Sequence, residues 1–389
     1  MYKILSSILK KLALPVIKQR RPKIIGVTGS VGKTSTKEAI FYLLNNSKEY
    51  QGKIEKSYGG LNTEVGLPLS ILGFHKPAAG FGWLILIFKA YLRSIKLRSS
   101  KIYPKILVLE YAADKPGDIE YLTNIARPNI AVITEIGPAH LLNFKTVENI
   151  AKEKIKLAQK LEADGVAVLN ENNKYLKEYA KHIYFDKVWY DGNSFDSAKN
   201  AAKAVGKIMN LQPKEIDEIL NDLPGVPGRL QEFEGIKNTV IIDDSYNSNP
   251  LSCARALFIL KKKRTNGKKI AILGDMRELG QSSPEEHKKI AKKILKNADL
   301  AILIGPDMQQ YAAPVLKNNN FKYYAFETFT KAKEAIIKNI DQNDVILIKG
   351  SQNELFLERV TQMLLAHKED ESRLCRQSQF WYNIKNKTP

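Results

Sequence analysis

Short apolar runs alternating with longer amphipathic stretches occupy most of this chain from residue 23 onward. The first run, Lys23-Ile24-Ile25-Gly26-Val27-Thr28, has the composition of a strand buried on both faces, and a helix-forming segment over 37–44 follows it. Further strands are expected at 106–109, 130–134 and 166–169, with a helix over 147–161 before the last of them. Helices over 197–209 and 213–220 complete this half. The stretch Leu223-Pro224-Gly225-Val226-Pro227-Gly228 then reads as a hinge. Beyond it the alternation restarts, with strands expected at 239–242, 269–273, 300–304 and 345–348. Such alternation implies mostly parallel sheets covered on both faces. The expected fold is α/β: a central domain over 23–225 with a mostly parallel sheet, then a smaller C-terminal Rossmann-like α/β domain over 226–366. A charged, polar tail over 367–389 has no readable role.

Two segments stand apart from this alternation. Residues 1–22 form a basic amphipathic segment, with Ile4, Leu5, Ile8, Leu9 and Leu12 on one stripe and Pro15 expected to end the helix. A second stretch, 65–109, contains no acid and carries Lys76, Lys89, Arg93, Lys96, Arg98 and Lys101 around Trp83-Leu84-Ile85-Leu86-Ile87-Phe88. Both could lie on an anionic bilayer, or each stripe could pack on its own domain. No apolar run reaches the length of a membrane span, and no signal peptide is evident.

Composition sharpens this picture in two places. The chain has 389 residues, enough for two or three domains, and a net charge of +20 that suggests an anionic partner. Surplus lysine from genome composition would give the same number. The only cysteines, Cys253 and Cys375, have neither metal-ligand spacing nor a disulfide framework, which fits a reducing cytoplasm.

The candidate chemistry gathers at strand ends. After the first strand come Gly29-Ser30-Val31-Gly32-Lys33-Thr34-Ser35, the pattern of a phosphate cradle. Its glycines let backbone N–H groups turn toward an anion, Lys33 reaches the terminal phosphates, and the Thr34 hydroxyl is placed for Mg²⁺. Val27 stands where the general pattern has its first glycine. The central domain is therefore P-loop-type and expected to bind a nucleoside triphosphate. Glu110 ends the 106–109 strand, where a carboxylate commonly partners phosphate-bound Mg²⁺. A solvated strand-end acid is the plain alternative. His140 follows another strand end in Gly-Pro-Ala-His, and Lys154 lies on the next helix; on their own, both read as structural or surface residues. In the second domain Asp243-Asp244-Ser245-Tyr246-Asn247-Ser248-Asn249-Pro250 closes a strand and opens a helix. Its side chains could hold a ribose or an amine, or serve as an N-cap and turn.

These stretches resemble the Mur ligase family, and within it the branch that adds D-alanyl-D-alanine to a muramoyl tripeptide. The resemblance rests on Gly26-Val-Thr-Gly-Ser-Val-Gly-Lys-Thr34, Asn62-Thr-Glu-Val-Gly-Leu-Pro68, Gly117-Asp-Ile-Glu-Tyr-Leu-Thr123 and Ile136-Gly-Pro-Ala-His140. It continues through Pro227-Gly-Arg229, the 243–250 segment, Gly274-Asp-Met-Arg-Glu-Leu-Gly280 and Lys349-Gly-Ser351. It implies an ATP- and Mg²⁺-dependent peptide ligase of peptidoglycan synthesis that works through an acyl phosphate. The implied catalytic residues are Lys33, His140 and Lys154. Metal would be held by Thr34, Glu110, His140 and, if carbamylated, Lys154. Asn200, Arg229 and Asp244 would contact the nucleotide, and Asn62, Thr63, Asn247 and Asn249 the substrates. The implied partners are ATP, a muramoyl-peptide-like carboxylate and a dipeptide or amino-acid amine, in the cytoplasm or on the inner face of the membrane.

The chain also departs from that family. Its cradle begins at Lys23, so the usual leading UDP-sugar domain is expected to be absent, and residues 73–104 look inserted. Gly60, Thr63 and Ser197 stand in place of usual asparagines, and Gln352 in place of an arginine. A different acid, such as a lipid-linked muropeptide or a cofactor precursor, is the alternative substrate. A nucleic-acid-dependent ATPase is a third reading; without a recognisable binding module, no nucleic acid is expected.

Overall fold

The computed structural model describes residues 2–388, except 79, 81, 101, 193–195, 352–353 and 386–387. Lys101 and Gln352 therefore lie outside the described residues. The chain divides into two compact units, Met1–Gly137 with Asn143–Leu223, and Pro138–Leu142 with Pro224–Pro389.

In the first unit, β1 (Lys23–Thr28), β2 (Ile54–Lys56), β3 (Ile106–Glu110), β4 (Ile130–Ile133), β5 (Val166–Asn170) and β6 (Asp186–Tyr190) form a parallel sheet. Their order is β2-β3-β1-β4-β5-β6, which sets β1 between β3 and β4. Val27 pairs with Glu110 and Thr28 with Ile133, so the ends of these three strands share one edge of the sheet. Ligands collect at such carboxyl edges, where the strand order reverses. Ile25 and Val27 of β1 enter a core with Ile40, Leu43 and Leu44 of one helix and Ala201 and Val205 of another. On the other face Gly26 leaves room for Tyr111, whose ring would lie 2.9 Å from an added Cβ. Continuous apolar strands are what burial on both faces demands.

Four helices of this unit matter for the site and for the basic segments: α1 (Tyr2–Arg20), α2 (Lys33–Asn45), α3 (Gly66–Ile71) and α4 (Gly82–Ser99). Contrary to the sequence expectation, α1 runs through Pro15 to Arg20. Leu5, Leu9, Ala13 and Val16 on its inner face are buried, and α1 packs on α3 and α4. Tertiary burial of that stripe outweighs the hydrogen bond that Pro15 cannot make. The α1 stripe thus packs on its own unit. Residues 82–99 of the segment expected to be an insertion form α4, which leaves most of its apolar side chains exposed.

In the second unit, β7 (Gln231–Gly235), β8 (Thr239–Asp244), β9 (Lys269–Gly274), β10 (Leu300–Ile304), β11 (Tyr323–Phe326) and β12 (Val345–Lys349) form a sheet. The order is β11-β10-β9-β12-β8-β7, parallel except for β7 against β8. Successive residues alternate between two cores: Ile242, Leu273, Leu303 and Leu347 face one, and Ile241, Ile272, Ile302 and Ile346 the other. Both sheets agree with the α/β class read from the sequence. The strands β2, β6, β7 and β11 are additions to those the apolar runs predict.

Candidate nucleotide-binding and catalytic site

At the end of β1 the chain turns through residues 29–32 into α2. Gly32 caps α2 at φ +85°, a left-handed conformation that glycine adopts without strain. A Cβ on Gly29 would lie 1.9 Å from Thr134 Oγ1, so glycine is what lets the loop close on the end of β4. The β4 end then pins it. Thr134 Oγ1 donates to Val31 O at 2.6 Å, Ser30 N to Glu135 O at 2.6 Å, and Ser30 Oγ to Gly137 O at 2.9 Å. Lys33 Nζ folds back to donate to Gly29 O at 2.9 Å, and Thr34 and Ser35 lie in the first turn of α2.

One helical residue and two loop-edge residues converge beside this cradle. Thr34 Oγ1 donates to Glu110 Oε2 at 3.1 Å, and Asn62 Nδ2 donates to Glu110 Oε1 at 3.0 Å. Glu110 is buried, and its own N–H donates to Ser57 Oγ at 3.1 Å. Asn62 is held in place because its carbonyl accepts from Ala112 N at 2.9 Å. The hydroxyl and the carboxylate expected to partner Mg²⁺ are thus in mutual contact. Two hard oxygen donors, with waters and phosphate oxygens making up the rest, fit the shell this ion prefers.

The helix Val147–Gln159 contributes Lys154, whose side chain is 1% exposed. Burial, followed by the charge of Lys33, pushes its ammonium down to about 7, against the pull of Asp114, Glu153 and Glu110. Lys33, Glu110, Asp114 and Lys154 therefore share one electrostatic neighbourhood. Sequence reasoning missed Asp114, which sits in the loop after β3 with no motif to mark it. It also lines a cavity of about 190 Å³ with Thr63, Glu64, Ala112, Lys115 and Tyr2. Thr63 Oγ1 accepts there from Tyr2 Oη at 3.5 Å. Asn200 lies on the helix Ser197–Ile208 and donates through Nδ2 to Asp191 O at 3.0 Å.

The second unit builds its own polar cluster at the end of β8. Lys349 Nζ, buried at the end of β12, donates to Asp244 Oδ2 at 2.6 Å and to Asn247 O at 2.8 Å. The Arg229 guanidinium stacks 4.3 Å from the centroid of Tyr246. Arg376 lies over the same ring at 4.9 Å, donates to Tyr246 O, and pairs with the buried Glu358 at 2.9 Å. The tail thus holds the 243–250 loop, a role with no signal in the sequence. Asn249 closes a capping box with Ser252 at the start of the helix Pro250–Lys262, as one of the two readings of that segment required. His140, at φ +52°, places Nδ1 2.7 Å from Glu278 Oε2, within the same compact unit. That hydrogen bond holds the Glu278 carboxyl below the usual carboxylate range.

A glycine cradle at the edge of a parallel sheet, backed by a Thr–Glu pair and followed by a Rossmann-like unit, defines the class: a P-loop-type nucleotide-binding α/β protein. Residues 94–223 match the Mur ligase middle domain and residues 228–352 the Mur ligase glutamate ligase domain. The chain belongs to the Mur ligase family. It is similar to the UDP-N-acetylmuramoyl-tripeptide–D-alanyl-D-alanine ligase of Buchnera aphidicola subsp. Baizongia pistaciae, 28% identical over 89% of this chain and 76% of that protein. The Bacillus subtilis protein of the same name is 26% identical over 92% and 79% respectively. Among solved structures, MurF ligase from Thermotoga maritima in complex with ADP superposes with a TM-score of 0.74 and 26% identity, over 94% of this chain and 84% of that one. Escherichia coli FolC in complex with ADP shares the fold, at a TM-score of 0.60 and 16% identity over 91% and 93% of the two chains.

Proposed function

We propose that this chain is an ATP-dependent peptide ligase that joins D-alanyl-D-alanine to a muramoyl tripeptide during peptidoglycan synthesis. The observation that carries the proposal is the Thr34–Glu110–Asn62 contact beside the cradle, with Lys154 held near neutrality next to Lys33. The names of its relatives, matched along most of the chain, support the same reading.

In this reading a substrate carboxylate oxygen attacks the γ-phosphorus of ATP and ADP departs, leaving an acyl phosphate. The dipeptide amine then attacks the acyl carbon. The C–O bond to phosphate breaks, the amine loses a proton, and an amide remains. Such chemistry needs positioning and charge neutralisation more than covalent help from the protein. Lys33 gives up its bond to Gly29 O and neutralises the phosphates, which backbone N–H groups of the 29–35 loop cradle, apart from that of Ser30, which is held by Glu135 O. Thr34 and Glu110 would hold Mg²⁺, which would supply further neutralisation of the phosphate charge. Lys154, pushed down to about 7, is substantially an amine at neutral pH, the form that takes up CO₂ to become a carbamate. That anion would be a further oxygen ligand for metal on the first unit, and His140 keeps its assignment as a metal ligand in the second. Asn200, Arg229 and Asp244 are assigned to the nucleotide, and Asn62, Thr63 and Asn247 to the substrates. Asn249, whose side chain is engaged in its capping box, acts by holding the loop.

Phosphate release is the test, measured with UDP-muramoyl tripeptide or its lipid-linked form as the acid and D-alanyl-D-alanine as the amine. Release that requires both an acid and the dipeptide is expected. Release stimulated by nucleic acid and indifferent to both would overturn the reading.

A further inference from the structure

The helix α4 is turned the wrong way for a core helix. Only Ala90 and Ser94 are buried, and this narrow face meets α1, where Ser94 Oγ donates to Leu12 O at 2.7 Å. Leu84, Ile85, Phe88, Tyr91, Leu92 and Ile95 point to solvent, from 68% exposed at Leu84 to 42% at Ile95. Their spacing draws one unbroken stripe along the helix. Exposed Lys89, Arg93 and Lys96 line one edge of it, Arg93 stacking over Phe74 at 5.0 Å. Neither α4 nor α1 contains an acid, and α1 adds Lys3, Lys10, Lys11, Lys18 and Arg20.

A protein partner for this face would have to bring an acidic rim of its own to match the cations. A broad apolar stripe edged by cations alone complements a surface that is apolar inside and anionic outside. We propose that α4 lies in the plane of an anionic lipid bilayer, its stripe at the acyl boundary and its lysines among the headgroups. No helix among the described residues is long and apolar enough to cross a membrane, so the contact is interfacial. The inference does not depend on which acid the enzyme uses.

The test is co-sedimentation of the full chain with phosphatidylcholine vesicles, with and without phosphatidylglycerol. The chain is expected to sediment with anionic vesicles and to be released by high salt. Replacing Leu84, Phe88 and Leu92 together with Ser should lower the partition coefficient by about a thousandfold or more. Lys89→Ala with Lys96→Ala should lower it about fivefold per charge. ADP binding, read by calorimetry, should be unchanged in both variants, because these side chains face solvent. Equal binding to neutral and anionic vesicles, no binding, or binding indifferent to the triple substitution would overturn the proposal. So would a solution dimer that the triple substitution dissolves, since the stripe would then belong to a second copy.

Discussion

Burial and charge oppose one another at Lys154. Its folded-state value of about 7 lies below the 10.5 of an unburied lysine, so between these two pH values the unfolded chain binds the extra proton. The cost of burying the ammonium is full below about 7 and is relieved as pH rises through the window. Lys154→Met removes that cost, so its stability advantage over the parent should shrink from pH 7 to pH 10 in paired urea titrations. A difference constant across that range would contradict the assignment. Lys33 is tested by rate: Lys33→Ala should lower phosphate release by about 10²–10³-fold, in line with losing a principal donor to developing charge. Full activity in that variant would remove Lys33 from the site. Lys33, Thr34 and Glu110 were legible because each sits at a strand end or helix start, positions that a one-dimensional pattern can locate. Asp114 and Arg376 were not, because their roles come from partners that only folding brings near. For Arg376 these are Glu358 and Tyr246.

The tail shows the same at the scale of elements. Arg376 and Glu358 form a pair with almost no solvent exposure, and Lys385 lies 3.9 Å from the same carboxylate. Burial raises the Glu358 carboxyl above its usual range while Arg376 pulls it down. Arg376→Met should cost about 3 kcal/mol at pH 8, the order expected when one partner of a buried pair is lost. A raised carboxyl favours the folded state only while protonated. The loss should therefore be smaller at pH 5 than at pH 8, as read from chemical denaturation; the opposite trend would contradict the pairing. Strands were readable where both faces are buried, as in β1, β4, β9 and β10, because such runs are apolar throughout. The edge strands were not. β6, Asp186–Tyr190, buries only its last residue, and β7, Gln231–Gly235, alternates polar and buried positions around the single apolar Phe233. The helix α1 passes through Pro15 because its inner stripe has somewhere to pack, which no local propensity records.

Across the whole molecule, the net charge of +20 is concentrated in part on α1 and α4, which carry no acid. The sequence left open whether each apolar stripe packs inward or lies on a bilayer. The structure separates them: α1 packs, and α4 does not. The two units divide the remaining chemistry, with the phosphate cradle and Glu110 in the first and the Asp244–Lys349 cluster in the second. ADP at a hundred times its dissociation constant should stabilise the chain by about 2.7 kcal/mol. Lys33→Ala should reduce that gain, as measured by thermal shift at matched ADP concentration. An equal gain in the variant would place the nucleotide elsewhere. The central claim is that a carboxylate is activated by phosphorylation before the amine arrives. If the acid substrate is labelled with ¹⁸O in its reacting carboxylate, the phosphate released on ligation should carry one ¹⁸O atom, detected by mass spectrometry. Phosphate carrying none, alongside a genuine amide product, would contradict the account.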